Sequence, residues 1–83
     1  CIECHVPPVT YTTGGAFDVG LSDEAGLRRY NPPSLRGVGR QDGLFHDQRA
    51  ESLHAVFLEH LHQLPRGLDD GELADLVRFL QGL

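Results

Sequence analysis

The chain opens with the pentapeptide CIECH, which places two cysteines and a histidine within five positions. This spacing fits three chemistries: a redox-active dithiol, part of a zinc site, or the attachment point of a covalently bound haem. A structural disulfide explains it poorly, because a bond between Cys1 and Cys4 would close a very short loop and remove little entropy from the unfolded chain. Each of the three chemistries makes a different demand on the rest of the sequence.

The chain offers little apolar material for a core of its own. At 83 residues it is expected to form one domain over residues 1–83. A domain of this size buries only about 60% of the surface that its unfolded chain exposes. Trp and Met are absent, whereas there are ten glycines and five prolines. A buried prosthetic group would supply the missing apolar volume.

The charge of the chain narrows the range of partners. Its formal net charge is −5 and all seven of its basic residues are Arg. Nucleic acids and anionic membrane surfaces both require a basic face. No apolar run approaches the ~20 residues that a transmembrane helix needs. We therefore expect neither a nucleic-acid partner nor a membrane span in this chain.

The residue pattern predicts an all-α domain with few helices and long loops. Residues 6–49 are rich in Gly, Pro, Asp and Thr and show neither helical nor strand periodicity, apart from one helical turn expected near residues 23–29. So long a loop is unusual in a compact domain. It becomes reasonable if the chain wraps around a large prosthetic group.

Two amphipathic helices are predicted in the last third of the chain. Ser52 is the expected N-cap of the first helix, which Pro65 and Gly67 would end. Asp69 and Glu72 form a variant of the capping box at the start of the second. The apolar positions at helical spacing are Leu53, Val56, Phe57, Leu61 and Leu64, followed by Leu73, Leu76, Val77 and Leu80.

The CIECH motif favours haem over zinc or a dithiol. C-x-x-C-H is the signature of c-type haem attachment, in which both thiols bond to the haem vinyl groups and the His binds the iron. No second C-x-x-C or H-x₃₋₅-H motif follows at zinc-site spacing, and no strand pattern typical of thioredoxin-like proteins surrounds the motif. We predict one haem c, attached through Cys1 and Cys4, with His5 as an iron ligand.

The second iron ligand is less obvious. Cytochromes c commonly use Met, but this chain contains neither Met nor Lys. On a continuous first helix, His60 falls at the centre of the apolar side, His54 at its edge and His62 on the solvent side. We therefore predict His60 as the second ligand. His46, another His or Tyr, and an open coordination position are the alternatives.

The segment NPPSLRGVGRQDGLFHDQRAESLHAVFLEHL resembles the C-terminal haem domain of the bacterial di-haem cytochrome c peroxidase family. The shared pattern comprises CxxCH, a Gly-rich stretch like GGAFDVG, P-x-LR, an FHDG-type motif and a final helix like ELADLVRFLQGL, and it covers nearly the whole chain. The resemblance implies a small cytochrome c-like domain. In that family the distal ligand lies seven residues after the Leu that opens its helix, and seven after Leu53 is His60.

The same resemblance assigns roles to the PSLR and FHDQ segments. It implies that Arg36 lies near a haem propionate and that Pro33 and Leu35 shape the same edge of the haem. The FHDG-type motif reads FHDQ at residues 45–48, with Gln in place of Gly, and is expected to hold its loop together. Because class I cytochromes c place a helix before CxxCH, we expect that an N-terminal helix is missing and that the chain is a fragment.

These features predict electron transfer through a covalently bound, bis-histidine haem. The partner would be a redox protein or a neighbouring domain. The alternatives are a peroxidase-type catalytic domain, which needs an open iron face and a distal acid or base, and the electron-relay domain of a larger oxidoreductase. Attachment of c-type haem implies a periplasmic or otherwise extracytoplasmic location.

Overall fold

A computed structural model of the chain describes residues 1–64 and 66–83. These residues divide into two compact units, an N-terminal unit, Cys1–Arg36, and a C-terminal unit, Gly37–Leu83. Nowhere in the described ranges does a helix combine the length and apolarity needed to cross a membrane. In chain order the elements are β1 (Phe17–Asp18), β2 (Arg29–Tyr30), a 3₁₀ helix (Val38–Arg40), α1 (Leu53–Leu58) and α2 (Asp70–Gln81).

The prediction of an all-α domain is wrong. β1 and β2 form an antiparallel sheet in which Phe17 pairs with Tyr30 and Asp18 with Arg29. All of residues 1–36 are described, and they contain no α-helix. Both α-helices of the described chain lie in the C-terminal unit. The molecule therefore joins a small hairpin unit to a small helical unit.

The segment predicted to form a helical turn instead closes the hairpin. Oδ1 of Asp23 accepts hydrogen bonds from the backbone N–H groups of Ala25, at 2.9 Å, and Leu27, at 2.8 Å. The N–H of Asp23 donates to the carbonyl of Leu27 at 2.9 Å, and Gly26 has a φ of 84°. Aspartate forms such local side-chain bonds to the backbone in competition with helix, and here they determine the turn.

Hydrogen bonds from side chains to the backbone, rather than an apolar core, hold the N-terminal unit. The Asn31 amide donates to the carbonyls of Thr13, at 2.6 Å, and Gly15, at 2.7 Å. Within residues 1–36, all of which are described, Pro32 alone is buried. Ile2 and Val9 are 72% and 70% exposed. This unit buries too little apolar surface to form a core by itself.

The C-terminal unit contains the apolar core. The 3₁₀ helix and α1 both pack against α2. At Gly39, a Cβ atom would lie 2.9 Å from the Cα of Gln81, so the close approach of the 3₁₀ helix to the end of α2 requires glycine. The buried apolar residues are Val38, Leu44, Ala50, Ala55, Val56, Phe57, Leu73, Val77 and Leu80.

Both predicted helix starts are confirmed. The Ser52 hydroxyl accepts a hydrogen bond from the Ala55 N–H at 3.1 Å and caps α1. In α2 the Asp69 carboxylate accepts from the Glu72 N–H at 2.7 Å, and the Glu72 carboxylate accepts from the Asp69 N–H at 3.1 Å. This reciprocal pair is a complete capping box.

α1 ends earlier than the apolar pattern predicts. It was expected to continue to Leu64 and to stop at Pro65 and Gly67, but it ends at Leu58 with Glu59 as its C-cap. Pro65 lies outside the described residues. The second half of the predicted helix is therefore not helical.

The chain leaves α1 through a wide turn. The His60 N–H donates to the Ala55 carbonyl at 3.2 Å, and the His62 N–H donates to the Val56 carbonyl at 3.1 Å. Between them Leu61 has a φ of 46°, in the left-handed region that commonly terminates helices. The angular positions expected for His60 and His62 on a continuous helix consequently do not apply.

Candidate haem-ligating residues

The CIECH motif forms a single helical turn. The N–H groups of Cys4 and His5 both donate to the Cys1 carbonyl, at 3.1 and 2.8 Å. Residues three and four apart in such a turn lie on the same face, so the two cysteines and the histidine share one side. Both cysteines are free thiols, with Cys1 exposed and Cys4 half-buried. This arrangement suits attachment of both thiols to one edge of a macrocycle beside the imidazole.

A backbone carbonyl sets the tautomer of the His5 ring. Nδ1 of His5 lies 3.1 Å from the carbonyl oxygen of Tyr11. Because a carbonyl can only accept, Nδ1 is the donor in this bond, and in the neutral ring the lone pair is then on Nε2. Histidines that bind metals almost always donate their other ring N–H in this way. His5 is thus in the tautomer that an iron ligand requires.

The C-terminal unit contains a buried ring nitrogen without a partner. Nε2 of His60 is inaccessible to solvent and makes no hydrogen bond, and no other side-chain nitrogen or oxygen in the described ranges is left in this state. Burying such a group unpaired costs about 1–3 kcal/mol. Native proteins rarely carry that cost without a reason. A bond from Nε2 to a metal would satisfy the nitrogen.

Phe45 packs against two histidine rings. Its ring centroid lies 5.3 Å from that of His60, with the ring planes at 79°, and 5.2 Å from that of His62, at 65°. His62, expected on the solvent side, is half-buried. These edge-to-face contacts restrict the orientation of the His60 ring. These contacts of Phe45 were not predicted from the sequence. The one feature that could have indicated them is the place of Phe45 at the start of the FHDQ segment.

The PSLR segment lies beside the chain that follows CIECH. Nε of Arg36 donates to the Val9 carbonyl at 2.7 Å, and a terminal guanidinium nitrogen donates to the Pro8 carbonyl at 3.0 Å. Pro33 is exposed and Leu35 half-buried. Arg36 thus already donates two of its N–H groups to the backbone. Its contact with a haem propionate stays a prediction, as does the role of Pro33 and Leu35 at the haem edge.

The FHDQ segment lies in a loop closed at both ends. Leu44 and Ala50 form an isolated antiparallel bridge, with the Leu44 N–H 2.9 Å from the Ala50 carbonyl. Within the loop the Arg49 guanidinium lies 2.6 Å from Asp47, and its hydrogen bonds lower the pKa of the Asp47 carboxyl to about 2. Nε2 of His46 lies 4.0 Å from the same carboxylate. The Asp47–Arg49 pair links two residues within this loop, and the loop-holding role expected of the motif stays a prediction.

The ligands available fit a haem better than a bare metal ion. Across the described ranges, no group of three or more His, Cys, Asp or Glu side chains is arranged to hold a metal. A structural zinc site takes four protein ligands, whereas a haem iron takes at most two, because the macrocycle supplies the others. Within the N-terminal unit the two thiols and Nε2 of His5, and within the C-terminal unit Nε2 of His60, are each donor atoms of a kind that haem c takes.

No protein-family model, curated protein or solved structure matches the chain. The resemblance to the di-haem peroxidase family accordingly stays a prediction based on the motifs quoted above.

Proposed function

We propose that the chain is an electron-transfer domain that would bind one haem c covalently through Cys1 and Cys4 and hold its iron with His5 and His60. The observation that carries this proposal is the buried Nε2 of His60, which has no hydrogen-bond partner. The hydrogen bond from Nδ1 of His5 to the Tyr11 carbonyl supports it further, since it reserves Nε2 for a metal.

The chain's residues would hold and tune the cofactor. Bound haem supplies a one-electron redox couple. The Nδ1–H bond of His5 raises the basicity of its Nε2, and Phe45 restricts rotation of the His60 ring. Two nitrogen ligands favour the oxidised iron more than a thioether does, so the potential should lie below that of a similarly buried His/Met site.

A peroxidase would need an open coordination position and a distal acid or base beside it. If His5 and His60 both held the iron, no coordination position would be left for peroxide. The proposal therefore favours electron exchange with a redox partner protein or a neighbouring domain, in a periplasmic or otherwise extracytoplasmic compartment where c-type haem is attached. A relay domain of a larger oxidoreductase would use the same two ligands.

Optical and paramagnetic resonance spectra of the purified haem protein test the assignment. The wild type should be low-spin in both oxidation states, with haem that stays on the polypeptide under acid–acetone extraction. His60→Ala should convert the iron to a high-spin or water-bound form that binds carbon monoxide or cyanide. The matched control is His54→Ala, since His54 is exposed in the first turn of α1. His62 is a poorer control because it shares the Phe45 ring with His60.

Two results would contradict the proposal. Recovery of a colourless, folded protein containing zinc would rule out haem. A low-spin spectrum that survives His60→Ala would exclude His60 as a ligand, and His46 would be the next residue to change.

A further inference from the structure

We infer that Arg36 is a positioning residue for His5 and acts on the iron through the backbone of residues 8–11. The inference rests on the proposed function in that it takes His5 to be an iron ligand. Its structural basis lies entirely within the N-terminal unit and does not involve His60.

Four successive carbonyl groups after CIECH are engaged by side chains. Arg36 donates to the Pro8 and Val9 carbonyls at 3.0 and 2.7 Å. The Ser34 hydroxyl donates to the Thr10 carbonyl. The next carbonyl, that of Tyr11, accepts the hydrogen bond from Nδ1 of His5. The carbonyl that orients His5 is therefore the last in a run whose first three are held by the PSLR segment.

Arg36 also contacts Tyr11 directly. The guanidinium carbon lies 5.3 Å from the centroid of the Tyr11 ring, within the range of a cation–π contact. Tyr11 has a φ of 53°, a conformation that residues other than glycine rarely adopt without support from their surroundings. The Ser34 hydroxyl in turn accepts the Arg36 N–H at 3.1 Å. Arg36 thus holds both the side chain and the preceding backbone of the residue that binds His5.

If Arg36 positions His5, its loss should shift the reduction potential in one direction; if Arg36 acts only through its charge, its loss should shift the potential in the other. A firm Nδ1–H bond makes His5 a stronger donor and favours the oxidised iron, so loosening the bond should raise the potential. Removing a positive charge near the haem also favours the oxidised iron, so the electrostatic effect of losing Arg36 should lower the potential. The propionate contact implied by the resemblance would act in this second direction.

The experiment compares Arg36→Lys and Arg36→Gln with the wild-type haem protein. Lysine keeps the charge but cannot reproduce the planar fork that reaches two carbonyls. Two quantities are measured: the reduction potential, and the exchange rate of the His5 Nδ1–H by nitrogen-15 NMR in the reduced state. Both variants should speed exchange roughly tenfold, the factor that corresponds to about 1.4 kcal/mol of lost hydrogen bonding. Arg36→Lys, which keeps the charge, should also raise the potential, whereas in Arg36→Gln the loss of charge opposes that rise.

Arg29→Gln is the matched control. It removes the same charge from the same unit and a single bond, at 3.0 Å, to the Ala16 carbonyl. It should leave the exchange rate of the His5 Nδ1–H at the wild-type value. If the Arg36 variants do not fold, Ser34→Ala should change both quantities in the same direction, because it releases the Thr10 carbonyl.

A wild-type exchange rate in the foldable variants, or a potential in Arg36→Lys no higher than that of the wild type, would overturn the inference and leave Arg36 with an electrostatic role only. A different result would contradict the proposed function, namely a spectrum of the wild-type protein that shows no histidine bound to the iron. In that protein the exchange rate of the His5 ring N–H would still report whether Arg36 positions it.

Discussion

At the scale of single residues, two positions in the 43–50 loop constrain each other. A Cβ atom at Gly43 would lie 2.6 Å from the Cβ of Gln48, closer than real side chains approach. Gln48 itself has a φ of 59°, in the region that favours glycine. An FHDG-type motif has glycine where this chain has Gln48, and the left-handed backbone conformation at that residue explains the preference for glycine.

This geometry predicts a measurable coupling between the two positions. Gly43→Ala should destabilise the protein by about 1–3 kcal/mol through overpacking against Gln48. Gln48→Gly should be neutral or stabilising by up to about 1 kcal/mol, because it relieves the left-handed conformation at some cost in chain entropy. In the double variant most of the cost of Gly43→Ala should disappear.

Denaturant unfolding of the two single variants and the double variant measures this coupling as a double-mutant cycle. Gly14→Ala is the control, since a Cβ at Gly14 would meet nothing within 4 Å. Strict additivity of the two changes would show that the residues do not collide.

At the scale of elements, the sequence predicted how helices start better than where they end. The side-chain oxygens of Ser52 and Asp69 each accept a hydrogen bond from the backbone N–H three residues later and so cap their helices. Because such a cap depends on neighbouring residues only, it can be predicted from the sequence. α1 ends at Leu58, and the chain then takes a left-handed conformation at Leu61, a residue type that does not indicate a helix end in the sequence. Prediction of helix ends relies on Gly or Pro, and here the nearest ones, Pro65 and Gly67, come later.

The two strands and His60, the proposed iron ligand, were also misplaced or missed by the sequence-based prediction. β1 and β2 have two residues each, too few for an alternating pattern to be visible. His60 was expected on a helical face, yet it lies beyond the end of α1 and its Nε2 is buried through the turn that follows. The carbonyl of Tyr11 could not be predicted at all, because its role belongs to the backbone and not to a side chain.

The capping box gives a prediction at this scale. α2 supplies three buried core residues, so loss of its N-cap should weaken the whole C-terminal unit. Asp69→Ala should lower the free energy of unfolding by about 1 kcal/mol. Asp70→Ala, in the first turn but outside the capping pair, should cost less, since it removes only an interaction with the helix dipole. Urea unfolding measures both, and an equal or larger loss from Asp70→Ala would argue against the capping box.

At the scale of the whole molecule, the two units differ in what stabilises them. Among its described residues, the C-terminal unit buries nine apolar side chains, beginning with Val38. The N-terminal unit buries only Pro32 among its described residues and relies on hydrogen bonds from side chains such as Asn31 and Arg36. Exposed hydrogen bonds of this kind contribute about 1 kcal/mol each or less, against an entropy cost of about 1–2 kcal/mol per ordered residue.

The proposed covalent haem should therefore contribute most to the stability of the unit that carries CIECH. In the double variant Cys1→Ala/Cys4→Ala, which cannot form the thioether bonds, amides of the N-terminal hairpin such as that of Asp23 should lose their protection from hydrogen exchange. Amides of α2 such as that of Val77 should keep more of theirs, because their core is made of the chain's own side chains. The haem-loaded His60→Ala protein is the comparison, since it retains both thioethers and His5 and should keep the hairpin protected. Equal protection of the hairpin with and without attached haem would show that the N-terminal unit is stable on its hydrogen bonds alone, and the argument for a structural role of the cofactor would fail.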